Sequence, residues 1–108
     1  MNDLVKIVVT VPEADGDMLR RVIGDAGAGR VGNYVHCSFT VKGIGRFLPI
    51  DGANPAIGEV GKSEAVVEER IEVTCSTNIL EAVIKVIRDT HPYDEPAIDV
   101  YLLNGLNA

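Results

Sequence analysis

An α+β sandwich, with two helices laid on one face of an antiparallel sheet, is the fold class this sequence predicts, on three observations. Apolar residues recur at every second position in several separate stretches, and at every third or fourth position in two others. Glycine or proline stands at most of the changes between these two periods. With 108 residues and 46% hydrophobic content the chain can bury one core, so positions 1–108 are read as a single domain.

Val5, Ile7, Val9 and Val11 alternate with Lys6, Val8 and Thr10, predicting a first strand that Pro12 ends. From 13 to 26, the apolar residues Ala14, Met18, Leu19, Val22, Ile23 and Ala26 fall on one side of a helix, which Gly27 can stop. Alternation returns from Tyr34 to Val41, with Val35, Cys37, Phe39 and Val41 facing one way and Tyr34, His36, Ser38 and Thr40 the other. Gly43-Ile44-Gly45 is predicted to reverse the chain into Arg46–Ile50, closing a hairpin with Pro49 at an edge or end.

Residues 51–62, rich in glycine and without periodicity, read as a surface loop. A long strand follows over 64–75, with Ile71, Val73 and Cys75 inward and a charged outer face, where Glu68, Glu69, Arg70 and Glu72 read as a solvated edge or an intersubunit salt-bridge strip. The second helix starts near Thr77 or Asn78, Asn78 and Glu81 resembling a capping pair. Leu80, Val83, Ile84 and Ile87 form its inward stripe, and Pro92 closes it. The last strand spans 97–103 with Ile98, Val100 and Leu102 on one face, and the tail from Asn104 to Ala108 is expected to fray.

The order β-α-β-β-β-α-β contains two strand-helix-strand units whose right-handed crossovers put both helices on the same side of the sheet, a ferredoxin-like arrangement. The other sheet face would carry Leu4, Val8, Tyr34, Tyr101 and Leu103. That is more apolar surface than a small domain leaves wet, which predicts self-association through the sheets.

Ten basic against 16 acidic side chains give a net charge of -6, which opposes binding to nucleic acid or anionic membranes. No apolar run reaches membrane-spanning length and the start lacks an export signal, so a cytoplasmic location is expected. Cys37 and Cys75 are expected as buried free thiols.

Three stretches carry candidate chemistry. Gly27-Ala28-Gly29-Arg30-Val31-Gly32 spells a dinucleotide-loop motif but leaves a helix instead of opening one, so the glycines are read as conformational, with Arg30 left as an anion contact. His36 lies on a strand face, as a metal ligand or a hydrogen-bonded interface or surface histidine. His91-Pro92-Tyr93-Asp94-Glu95-Pro96 concentrates imidazole, phenol and carboxylates at one proline-restricted reversal, a donor set suited to zinc, copper or nickel. The alternative is structural: an imidazole against helix carbonyls, with solvated turn acids.

Together, residues 27–34 with His36-Cys37-Ser38-Phe39, then Gly52-Ala53-Asn54-Pro55 with Gly58-Glu59-Val60-Gly61, and finally residues 91–96 with Asp99-Val100-Tyr101, resemble the YqfO-type domain. That domain occurs inserted in dinuclear-metal-centre proteins and as free-standing bacterial chains. The resemblance extends to the CutA divalent-cation-tolerance proteins and, more remotely, to PII signalling proteins. It implies a homotrimer whose intersubunit clefts hold a divalent transition metal or a small polar effector. By the same likeness His36, His91, Asp94 and Glu95 would be metal donors, and Arg30, Tyr34 and Tyr93 ligand contacts.

Some larger relatives are described as hydrolases or cyclohydrolases. Their two-metal centre lies in a flanking domain, and it cannot be assembled from the two histidines of this chain. The expected function is therefore a nonenzymatic binding or sensory module, with a protein-interaction module acting on a partner as the alternative. A metal-dependent hydrolase accessory is the third reading.

Overall fold

The computed structural model describes residues 3–104, so the expectation for the last four tail residues lies outside the described residues. Strand β1 covers Leu4–Pro12 and strand β2 Phe39–Phe47, while β3 covers Glu64–Ser76 and β4 Ile98–Leu102. Helix α1 spans Gly16–Asp25 and α2 Leu80–Thr90, each entered through one 3-10 turn. The sheet order is β2-β3-β1-β4 and every neighbouring pair is antiparallel, the ferredoxin-like α+β sandwich.

The core follows from alternation. Register places Ile7 opposite Val73 and Val9 opposite Ile71, so one face of the two central strands presents a continuous aliphatic floor. Leu19 and Ile23 from α1, and Val83 and Ile87 from α2, close over it. Each such side chain contributes about 1.5–3 kcal/mol by leaving water. A helical stripe and a strand face can share one interior because both periodicities gather apolar groups on one side.

Three local expectations are corrected. Residues 34–38 are not strand, and His36 sits at φ 59 in the left-handed region, so His36 and Cys37 do not alternate across a sheet. Gly27 and Gly29 also take positive φ, and a Cβ on Gly29 would run into the Cys37 carbonyl oxygen, so the segment coils tightly instead of extending.

Gly43–Gly45 do not turn the chain. Gly43 pairs with Glu68 and Gly45 with Val66 inside an unbroken strand, so ladder hydrogen bonds outweigh turn propensity. The reversal falls instead in residues 48–63, which leaves four described strands where five were expected. Finally, the cap of the second helical segment is Ser76, whose Oγ accepts from the Asn78 N–H at 3.4 Å.

Two features of the sheet position the site. β1 pairs with β3 only as far as Glu68, so Glu64–Val67 pair with Ile44–Phe47 alone and project as a two-stranded ribbon from a molecule measuring 47 × 22 × 22 Å. The helix-free face exposes Phe39, Val41 and Tyr101. This departs from the expected set, because Val8 is buried, Tyr34 stands in a loop and Leu103 follows the end of β4.

Candidate ligand-binding site

α2 ends at Thr90, and the following His91 still donates its N–H to the Ile87 carbonyl at 2.8 Å, which carries its ring into the protein at 6% exposure. Nε2 lies 2.7 Å from the Thr10 carbonyl oxygen, and Nδ1 accepts the Tyr93 N–H at 3.1 Å. A carbonyl can only accept, so Nε2 carries the hydrogen and Nδ1 keeps its lone pair for Tyr93. Both ring nitrogens are committed to the backbone.

That arrangement aims Tyr93 over the helix-free face. Its ring meets Phe47 edge-on at 5.7 Å and the His91 ring at 5.1 Å. Its hydroxyl donates to Glu68 Oε2 at 2.8 Å, joining the turn to the sheet. Burial, and then the Glu68 carboxylate accepting that bond, push the phenol pKa well above its ordinary 10.0. One residue on, Asp94 Oδ2 accepts the Asn54 N–H at 3.0 Å, which ties the turn to the long loop. Between loop, ribbon and turn lies a cleft of about 570 Å³, lined by Val41, Phe47, Ile50, Pro55, Glu68 and Tyr93 among others. Its size falls in the range of pockets that enclose small organic ligands.

The expected site residues divide into two groups. Tyr93, Asp94 and Glu95 line the cleft, with His91 buried behind Tyr93. Arg30, Tyr34 and His36 belong to a segment fastened to the other end of the sheet, where the Gly29 N–H bonds to the Thr74 carbonyl at 2.8 Å. Thr74 and Glu68 stand six positions apart on β3, roughly 20 Å. There the Arg30 Nε–H donates to the Gly32 carbonyl at 3.2 Å, Tyr34 exchanges backbone hydrogen bonds with Val31, and His36 Nε2 stands 3.2 Å from Asp25 Oδ1.

The set His36, His91, Asp94 and Glu95 therefore does not converge within one subunit. Among the described residues no three His, Cys, Asp or Glu side chains gather closely enough to hold a metal ion. The imidazole that would have anchored such a site has no lone pair to give.

Glu68 is the residue that the sequence reading missed. Read as part of a solvated edge or an intersubunit salt-bridge strip, Glu68 and Glu69 are in fact 7% and 8% exposed within the single subunit. Adjacent strand residues face opposite sides, so two acids in succession on a central strand each need a partner. Glu69 meets the Arg20 guanidinium at 2.6 Å on the helix side, and Glu68 meets Tyr93 on the other. That doublet on an interior strand was the available signal.

Known proteins bear on this geometry. No protein-family model matches the chain. Over 101 residues, 94% of the chain, it is 46% identical to a GTP cyclohydrolase 1 type 2 homolog of Mycobacterium tuberculosis. A Bacillus cereus protein related to NIF3 superposes on 96% of the chain with TM-score 0.84 and 40% identity. The chain carries the YqfO-type domain. It spans about a quarter of the length of each of these two relatives, 27% of the first and 26% of the second. CutA from Synechococcus elongatus superposes on 95% of the YqfO-type domain with TM-score 0.68 and 17% identity, covering 79% of that chain, a likeness of fold. Among the described residues no helix is long and apolar enough to cross a membrane.

Proposed function

We propose that this domain is a nonenzymatic binding module of the cytoplasm that holds a small organic effector in the cleft between ribbon, long loop and Tyr93 turn. The observation that carries the reading is the cleft itself: a mainly aliphatic and aromatic enclosure into which a few polar groups converge. Against catalysis stands the state of its polar groups. The Tyr93 phenol is held protonated and His91 has both nitrogens engaged, so neither is poised as an acid or base. Exposed Phe39, Val41 and Tyr101 on the same face favour self-association, and the trimer implied by the CutA likeness would set the cleft at a seam between subunits. Zinc, copper or nickel would then need donors from two subunits.

Gly43 supplies the test. A Cβ there meets nothing within 4 Å, so Gly43→Leu fills the cleft without disturbing the strand. A thermal-shift screen of polar organic metabolites, with Zn²⁺, Cu²⁺ and Ni²⁺ in parallel, should find organic compounds that raise the Tm of the wild type and not of Gly43→Leu. Stabilisation by metals alone, equal in both proteins, would overturn the reading.

A further inference from the structure

Among the described residues, one oxygen of the buried Glu68 carboxylate at the cleft has no partner. Glu68 Oε2 takes the Tyr93 hydroxyl, whereas among the described residues no donor reaches Oε1 and no lysine or arginine pairs with this carboxylate. The side chain is more than nine-tenths buried. Yet among the described residues no fully enclosed side-chain nitrogen or oxygen lacks a hydrogen bond, so Oε1 opens onto the cleft that Glu68 lines. Gly45 makes room for it, since a Cβ at that position would collide with the carboxylate. A desolvated carboxylate that keeps an unsatisfied oxygen has a high affinity for any donor that can reach it, most of all a charged one.

From this geometry we propose that the cleft takes a small organic cation, a protonated amine or guanidinium on an apolar body, with its N–H groups on Glu68 Oε1 and its body against Phe47 and Tyr93. This rests on the cleft being a ligand site. Surrounding features agree. The aromatic faces of Phe47 and Tyr93 favour an adjacent cation, and the charges of Glu68, Asp15 and Glu64 act together on the Tyr93 hydroxyl, so the field at the cleft floor is negative. The cations lining the cleft do not neutralise the floor: Arg70 pairs with Glu72 at 3.2 Å and Lys42 with Glu13 at 2.6 Å. Arg46 pairs across the ribbon with Ala65, a register that puts it on the helix side of the sheet, the face opposite to that of Glu68.

The test uses three probes of one shape, benzylammonium, benzyl alcohol and benzoate, titrated into the folded protein and followed by NMR at Phe47, Glu68 and Tyr93. Benzylammonium should bind at least about tenfold more tightly than the alcohol, the increment of one charge-assisted hydrogen bond, and benzoate should not bind. Glu68→Gln keeps an oxygen for the Tyr93 hydroxyl and should erase the tenfold preference; if it does not fold, the three wild-type titrations decide alone. Equal binding of all three probes at these residues overturns the cation assignment and leaves the cleft as a ligand site. No perturbation by any probe, with the same signals changing on protein dilution, shows a second copy in the cleft and overturns both.

Discussion

The two faces of the sheet are held by different physics. On the helix side, Val5, Ile7, Val9, Ile71 and Val73 meet Leu19, Ile23, Val83 and Ile87 in a dry interior where each contact is nondirectional and shared among many neighbours. On the other side a few directed bonds between distant residues do the holding: His91 to Thr10, Tyr93 to Glu68, and Asn54 to Asp94. The first interior is closed and sets stability. The second leaves a cleft and a carboxylate oxygen exposed to it. A face built from directed polar bonds can stay open because its geometry does not depend on filling the space between its parts.

Substitutions on each side should break or sharpen that contrast. Ile71→Ala, at a position wholly removed from solvent, should cost about 2–5 kcal/mol in urea unfolding through lost transfer energy and the cavity left behind. The Tyr93 and Phe47 NMR signals of the folded fraction should be unmoved. Coupled changes there would show that the two faces are one unit.

His91→Ala should cost less, about 1–3 kcal/mol, because it strands the Thr10 carbonyl and the Tyr93 N–H together. Here the cleft signals should shift as the turn loosens. A chevron-type or equilibrium unfolding series with the cleft unchanged would deny His91 its positioning role.

Tyr93→Phe should show the smallest loss, about 1 kcal/mol near neutral pH, as one hydroxyl bond disappears. Its pH dependence sharpens the assignment. A phenol whose folded pKa is raised above 10.0 binds its proton more tightly in the native state, so its contribution is fully present below pH 10 and is lost as pH climbs beyond. Wild-type and Tyr93→Phe stabilities should therefore converge above pH 10. A constant gap between them would mean that the phenol is not held by Glu68.

Legibility in the sequence follows the same division. The core strands and helices could be read because burial writes a period into the chain: Ile7, Val9, Ile71 and Val73 stand where alternation puts them. Failures occurred where local and long-range preferences compete. Gly43 and Gly45 spell a turn, but pairing with β3 keeps them in a strand. His36 sits in an alternating run, but left-handed glycines coil that run before it can extend. The polar turn at 91–96 announced itself by composition; the direction of its side chains did not.

By itself the sequence determined the sandwich class, the helix-covered interior and the place of the polar turn, because periodicity and proline act over a few residues. Only the tertiary structure decided that His91 gives both nitrogens to the backbone, that Arg30, Tyr34 and His36 lie at the far end of the sheet, and that Glu68 faces the cleft with a free oxygen. Those outcomes depend on which residues 25 to 81 positions apart come within hydrogen-bonding distance. That distance is set by strand register and loop path, and neither leaves a local pattern in the chain.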